Sequence, residues 1–199
     1  MLITAVLILT AYLCGSVSSA VIVSKLLRLQ DPRSGGSGNP GMTNVLRLSG
    51  KKAAALVFLG DVFKGAFPVL LARLLHIDGL WLGLVGLAAV IGHIFPVFFK
   101  FEGGKAIATS FGVVIILSPA IALLSLATWL VVAVVSRYLS LASIIGTVSA
   151  LIYALYFRQF MYIIPFVIIA VLIIWRHKSN IKRLYQGSEN KINLESKRA

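Results

Sequence analysis

Residues able to handle phosphate gather in three polar stretches of an otherwise apolar chain. The first, DPRSGGSGNPGMTNVLR from Asp31 to Arg47, is rich in glycine. Glycines let backbone N–H groups come close to an anion. Gly38 lies among Ser37, Asn39, Thr43 and Asn44, which offer neutral hydrogen-bonding groups, and Arg47 adds a planar fork suited to phosphate oxygens. The second, GHIFPVFFKFEGGKAIATS from Gly92, sets Gly103-Gly104-Lys105 at the start of an apolar run, with His93 before it and Thr109 after it. Backbone donors at a helix N-terminus together with an ammonium make an anion site. The third, WRHKSNIKRLYQGSEN from Trp175, repeats His177, Asn180 and Arg183 at every third position. On a helix these three share a face.

Each stretch also has an ordinary reading: a flexible loop, a structural histidine, a solvated basic tail. Their falling on one predicted side of the chain favours a common anion site. Two better-known phosphate motifs are excluded. Gly36, Gly38 and Gly41 match G-x-G-x-x-G, with Asp61 at about the ribose-binding distance, but that fingerprint needs a preceding strand and a βαβ unit. The Gly-Gly-Lys run is not a Walker A loop, since Phe99 stands at the first glycine position and Ala106 at the Ser/Thr position. Cys14 is the single cysteine, so an intrachain disulfide and a cysteine-rich metal site are both excluded. No metal or cofactor is expected. Asp61 and Lys64, spaced i, i+3 inside an apolar run, read as a packing pair or as part of the site. Glu102 can pair with Lys105 or Lys100, or face solvent.

The elements that must position these groups are membrane helices. Of 199 residues, 59% are hydrophobic and 13% charged, with a mean hydropathy of +0.96. Such a chain reads as an all-α, polytopic membrane bundle whose polar loops form the site. About seven apolar segments are predicted, at roughly 2–28, 52–75, 80–99, 105–118, 120–136, 139–157 and 160–175. Pro119 divides the fourth from the fifth, and 105–118 is short for a span. Met1 lacks a charged flank, so the first segment reads as a retained helix rather than a signal peptide. With seven spans, the loop 29–51, the stretch near 100–104, the corner at Arg137 and the tail share one side, and only Arg73 and Arg158 remain on the other. The net charge of +13 then reflects the cytoplasmic face and anionic lipid, not nucleic acid, and the N-terminus is expected outside with the C-terminus inside. The tail 178–199 is expected as a basic cytoplasmic segment in which NIKRLYQ forms a short surface helix. Gly79, Gly83 and Gly86 predict close helix packing.

Taken together the motifs resemble the PlsY family, the bacterial acyl-phosphate:glycerol-3-phosphate acyltransferases. The family pattern GSGNxGATNxxR corresponds to Gly36 through Arg47, and its GDxxKG-like segment to Gly60 through Gly65. Its GHxxP…FKGGKGVAT corresponds to Gly92-His93 through Pro96 and then Phe101 through Thr109, and HxxNIxRL to His177 through Leu184. The likeness runs through nearly the whole chain, 1–199, as one membrane domain. Met42, Glu102 and Ala106 depart from it, standing for alanine, lysine and glycine. The resemblance implies transfer of a fatty acyl group from acyl phosphate to the 1-hydroxyl of sn-glycerol 3-phosphate at the cytoplasmic side of the bacterial inner membrane. The products are lysophosphatidic acid and phosphate, and membrane lipid is the remaining partner. It implies catalytic roles for Ser37, Lys105, His177 and Asn180. Substrate contacts fall to Gly38, Asn39, Thr43, Asn44, Arg47, His93, Gly103, Gly104, Thr109, Arg183 and Ser143, the last in the turn into the sixth span. The proton acceptor is left between a substrate phosphate and His177. A transporter of an organic phosphate is the rival class; its paired broken helices in two related halves are not seen. A purely structural membrane subunit would leave Asp61, Lys64 and the glycine loops unexplained.

Overall fold

The computed structural model of the chain describes residues 1–192, so the end of the predicted tail, 193–199, lies outside the described residues. Among the described residues there are nine α-helices and no strand: α1 Leu2–Gly15, α2 Ser19–Leu26, α3 Met42–Leu74, α4 Gly79–Ile94, α5 Ile107–Leu117, α6 Pro119–Ser136, α7 Leu139–Tyr156, α8 Ile163–Arg176 and α9 Lys178–Tyr185. Four helices are long and apolar enough to cross a bilayer: α3, α4 with the turn after it, α6 and α7. The count rises to six if the bent pairs α1–α2 and α8–α9 each form one span.

Three of the predicted segments are not simple rods. The first bends by 45° between α1 and α2. The break is held from outside the segment, because Lys64 Nζ donates to the Val17 carbonyl oxygen at 2.8 Å. Helix α3 contains Gly50 at φ 81°, ψ −177°, a conformation outside the helical region. Its arm from Met42 to Ser49, expected as loop, is therefore helical and angled away from the apolar arm. The segment expected at 105–118 is the eleven-residue α5, about 16 Å long against a hydrocarbon core of about 30 Å. It is not a full span. Its last carbonyl, Leu117, accepts from Arg73 at the far end of α3 at 3.2 Å. Helix α5 therefore runs from mid-bundle to that far end, and the irregular segment before it is sunk into the protein. Non-helical backbone at that depth is tolerated because it is buried among neighbouring helices. Pro119 at the first position of α6 starts the next helix, as its spacing predicts.

Helix α4 sits at the centre, two-thirds buried (67%) and packed on α1, α3, α5 and α8. Glycines set these crossings. A Cβ on Gly15 would lie 2.0 Å from the Ala89 oxygen, and one on Gly92 2.2 Å from the Tyr12 oxygen, so α1 and α4 meet backbone to backbone. The α3–α5 crossing repeats this at Gly65 and Gly112. Gly83 and Gly86, expected as packing residues, face Pro165 of α8 and Val113 of α5. Asp61 and Lys64 form a buried ion pair at 2.8 Å.

Candidate active site

One cavity of about 440 Å³ opens where the three polar stretches meet. Thr43 and Arg47, four residues apart on the first arm of α3, look into it from one face. Ser37 and Asn39 reach it from the loop ahead of α3. Lys105 comes from the segment between α4 and α5, Ser140 and Ser143 from the N-terminal part of α7, and His177, Asn180 and Arg183 from the α8–α9 bend. Arg47, Lys105 and Asn180, 133 residues apart in order at the extremes, thus line one wall. The other end of the cavity is apolar, between α5, α6, α7 and α8, where Phe111, Leu126, Trp129, Phe166 and Ile169 face inward.

The glycine loop is built by Asn44. Its Oδ1 accepts from the Ser37 N–H at 2.9 Å, and its Nδ2 donates to the carbonyls of Pro32 (2.7 Å) and Gly35 (3.0 Å). Both amide hydrogens are therefore committed, and Asn44 shapes the loop that presents Ser37 rather than offering a free donor. Gly36 has φ 59° with its Cα against Asn44 Oδ1, a place where a side chain has no room. Asp31 and Arg33 pair at 2.7 Å, the guanidinium holding the Asp31 carboxyl below the usual carboxylate range. Arg33 also lies over the Phe99 ring, joining the first stretch to the second.

Lys105 Nζ donates to Asn180 Oδ1. Burial pushes the ammonium down to about 8 from an ordinary 10.5; Glu189 opposes this, while Arg183, Arg176 and Arg47 add to it. The amide of Asn180 is oriented by its other end, where Nδ2 donates to Glu189 Oε1 at 2.7 Å. The same carboxylate accepts from Ser140 Oγ and Arg183 Nε, each at 2.7 Å. Burial pushes the Glu189 carboxyl up, but these hydrogen bonds outweigh it and hold it below the usual value. His177 Nδ1 lies 2.8 Å from the Ile173 carbonyl. That oxygen only accepts, so Nδ1 carries the proton in the neutral ring and Nε2 is left as a lone-pair acceptor. Ser143 Oγ accepts from Trp129 Nε1 at 3.3 Å.

Four expected contact residues stand away from the cavity wall. Gly38 is exposed in the loop at φ 69°. Thr109 is wholly buried, its hydroxyl 3.0 Å from His93 Nδ1. Gly103 and Gly104 sit behind the wall, their Cα positions against the end of α4: a Cβ on Gly103 would meet the His93 oxygen at 2.1 Å, and one on Gly104 the His93 ring at 2.2 Å. His93 does line the cavity, but its Nδ1 is taken up by Thr109, with Asp61 Oδ1 3.7 Å away. Glu102 is exposed and forms no ion pair with Lys100 or Lys105 among the described residues. Ser143 lies within α7 rather than in a turn.

Glu189, Ser140, Trp129 and Arg176 were not singled out from the sequence. Glu189 sits in a tail that reads as solvated, six residues from Arg183, a spacing that no helix face would bring together. Arg176 stands beside His177 in a basic run, where any one cation looks like the rest.

Fold and site define a helical membrane protein with a cation-lined pocket that continues into an apolar one. The glycerol-3-phosphate acyltransferase family model matches residues 5–187. The glycerol-3-phosphate acyltransferase of Coxiella burnetii (strain CbuG_Q212) is 51% identical over 187 residues, covering 94% of this chain and 97% of that protein. The corresponding protein of Shewanella loihica is 48% identical, covering 98% and 96%. The crystal structure of PlsY (YgiH), an integral membrane glycerol 3-phosphate acyltransferase, in its glycerol 3-phosphate form superposes with a TM-score of 0.91 at 43% identity, covering 96% of each chain. Its lysophosphatidic acid form gives 0.88 at 42% identity, covering 96% of this chain and 95% of that one. The chain belongs to the glycerol-3-phosphate acyltransferase family, in its integral membrane PlsY branch.

Proposed function

We propose that the enzyme moves a fatty acyl group from acyl phosphate to the 1-hydroxyl of sn-glycerol 3-phosphate, releasing lysophosphatidic acid and phosphate. One observation carries this reading: Arg47, Lys105 and Arg183 line the polar end of a cavity whose other end is apolar. Both substrates bear phosphate, and only one of them bears a long hydrocarbon. Cations at the polar end suit both head groups, and the space between α5, α6, α7 and α8 suits the chain. The polar end opens toward the cytoplasm in this reading, with the N-terminus on the far side of the inner membrane.

The glycerol 1-oxygen attacks the acyl carbonyl carbon, the bond from that carbon to the phosphate oxygen breaks, and inorganic phosphate leaves with the electron pair. The hydroxyl proton passes to a substrate phosphate oxygen or to His177 Nε2. Lys105 stabilises charge on the leaving phosphate or the developing oxyanion, and Asn180 fixes the direction of its ammonium. Arg47 and Arg183 hold phosphate groups. Ser37, Asn39, Thr43 and Ser143 orient the reacting oxygens. An acyl phosphate is already activated, so positioning and electrostatics supply the acceleration. Direct transfer is favoured over a covalent acyl-Ser37 step, because among the described residues the Ser37 hydroxyl has no histidine partner to take its proton.

The test is a purified-enzyme assay offering acyl phosphate, acyl-CoA and acyl carrier protein thioester as donors with glycerol 3-phosphate. Turnover with acyl phosphate alone is expected; equal turnover with either thioester overturns the donor assignment. Lys105→Ala assayed with palmitoyl phosphate checks the role of the ammonium, and near-normal turnover in a folded variant removes it from the mechanism.

A further inference from the structure

We infer that Arg176 is a positioning residue: its guanidinium grips both carbonyls of the Gly103–Gly104 turn and so aims the neighbouring Lys105 into the cavity. The inference rests on the role proposed above for Lys105. Arg176 closes α8 and is half-buried. Its Nε donates to the Gly104 carbonyl at 3.1 Å, and its terminal nitrogen to the Gly103 carbonyl at 2.7 Å. Two parallel donors on two successive carbonyls is a geometry that a planar guanidinium can supply and a single ammonium cannot.

The turn itself has little else to hold it. It has no regular secondary structure, and its one further backbone bond runs from the Gly104 N–H to the His93 carbonyl at 3.2 Å. On the α4 side it is fenced by His93, against which neither glycine has room for a Cβ. Arg176 closes the opposite side. Four residues further on, across the α8–α9 bend, Asn180 takes the Lys105 ammonium. One bent helix pair therefore holds the backbone of residues 103 and 104 with Arg176, and the side chain of 105 with Asn180. Arg176 does not line the cavity, so its effect reaches the reaction through Lys105 and not by touching substrate.

The experiment reads the environment of Lys105 directly as well as turnover. Competitive amine labelling across pH, read by mass spectrometry, reports the titration and reactivity of the Lys105 ammonium in the intact enzyme. The charged or titratable groups facing it are Arg47, Arg176, Arg183, His177 and Glu189. In the wild-type enzyme the labelling is expected to show the Lys105 ammonium lowered by burial to about 8. In Arg176→Met the turn is released, Lys105 gains water and loses a cationic neighbour, and its titration moves up toward about 10.4, the ordinary lysine value. Turnover falls with it, by roughly 10–100-fold, the scale of an ångström-sized misplacement. Arg176→Lys keeps the charge but offers its donors from a single nitrogen, and recovers part of the rate with an intermediate labelling profile. A folded Arg176→Met enzyme with wild-type Lys105 labelling overturns the inference whatever its activity, and so does released labelling with unchanged turnover. Should Arg176→Met fail to fold, the folded Arg176→Lys enzyme decides, and wild-type labelling there is equally fatal. Active Lys105→Ala would instead sink the proposed role of Lys105, while the labelling would still report the clamp.

Discussion

The titration of Lys105 gives a prediction whose size follows from its surroundings. Burial brings its ammonium from an ordinary 10.5 down to about 8. If the charged form assists the departing phosphate, activity is complete well below that value and lost as pH rises through it. At pH 7 roughly nine-tenths of the enzyme carries the charge and at pH 9 roughly one-tenth, so kcat/KM falls about tenfold between them. Other charges in the cavity stay constant over this range. Guanidinium groups stay charged, the Glu189 carboxyl is held ionised by Asn180, Ser140 and Arg183, and glycerol 3-phosphate, with a second pKa of ~6, is already about nine-tenths dianion at pH 7. The assay is the initial rate of lysophosphatidate formation from palmitoyl phosphate at subsaturating glycerol 3-phosphate and constant ionic strength, with remaining donor measured to correct for alkaline hydrolysis. Lys105→Arg should lower the rate and abolish the alkaline limb, because a guanidinium does not titrate there. A wild-type profile flat from pH 7 to 9, or the same limb in Lys105→Arg, would refute the reasoning.

Other substitutions probe the framework. Ala106 sits at φ 61°, ψ 16°, the left-handed region, at the N-terminal cap of α5. Ala106→Gly should therefore raise stability by about 1 kcal/mol in a detergent melting experiment while leaving substrate affinity alone. Gly104→Ala drives a Cβ to 2.2 Å from His93 Nε2 and should lower both the melting temperature and turnover, whereas a wild-type melt would show that the turn has room after all. Arg47 is exposed at the cavity mouth, so Arg47→Ala should leave melting unchanged. It should raise the KM for glycerol 3-phosphate by roughly 10–100-fold, from about 1.5–3 kcal/mol of charge-assisted hydrogen bonding.

The apolar helices were legible because each is written in local sequence, whereas the Met42–Ser49 arm of α3 reads as loop. Pro119 marks the start of α6 and the apolar runs mark the rest, while Gly83 and Gly86 announce a close crossing. The bends were not. Gly50 breaks α3 where Lys51 and Lys52 suggest only the end of a loop, and the α1–α2 break depends on Lys64, 47 residues from the Val17 carbonyl it holds. The shortness of 105–118 was legible, but whether it spans was not: hydropathy reports whether a residue tolerates lipid, not whether the backbone beside it is buried in protein. Within the site, residue types and spacing marked Arg47, Lys105, His177 and Asn180. The partners that orient them, Glu189 and Arg176, come from contacts that only the folded chain brings about.

The glycine stretches show why chemistry cannot be read from composition alone. Both look like backbone cradles for an anion, but in the second the carbonyls are held by Arg176 and the Cα atoms are pressed on His93. In the first, Gly36 makes room for Asn44, which in turn spends its amide on shaping the loop. The glycines there serve close packing and turn geometry. In the proposed reaction, recognition of two phosphates then falls to the side chains of Arg47, Lys105 and Arg183, which line the cavity. Long cationic side chains around an open polar end accept more than one phosphate geometry, as the proposed pair of a phosphorylated donor and a phosphorylated acceptor would require. On the proposed reaction, the apolar end suits the substrate with a hydrocarbon chain, and the packing between α5 and α8 then tells donor from acceptor more than the phosphate contacts do.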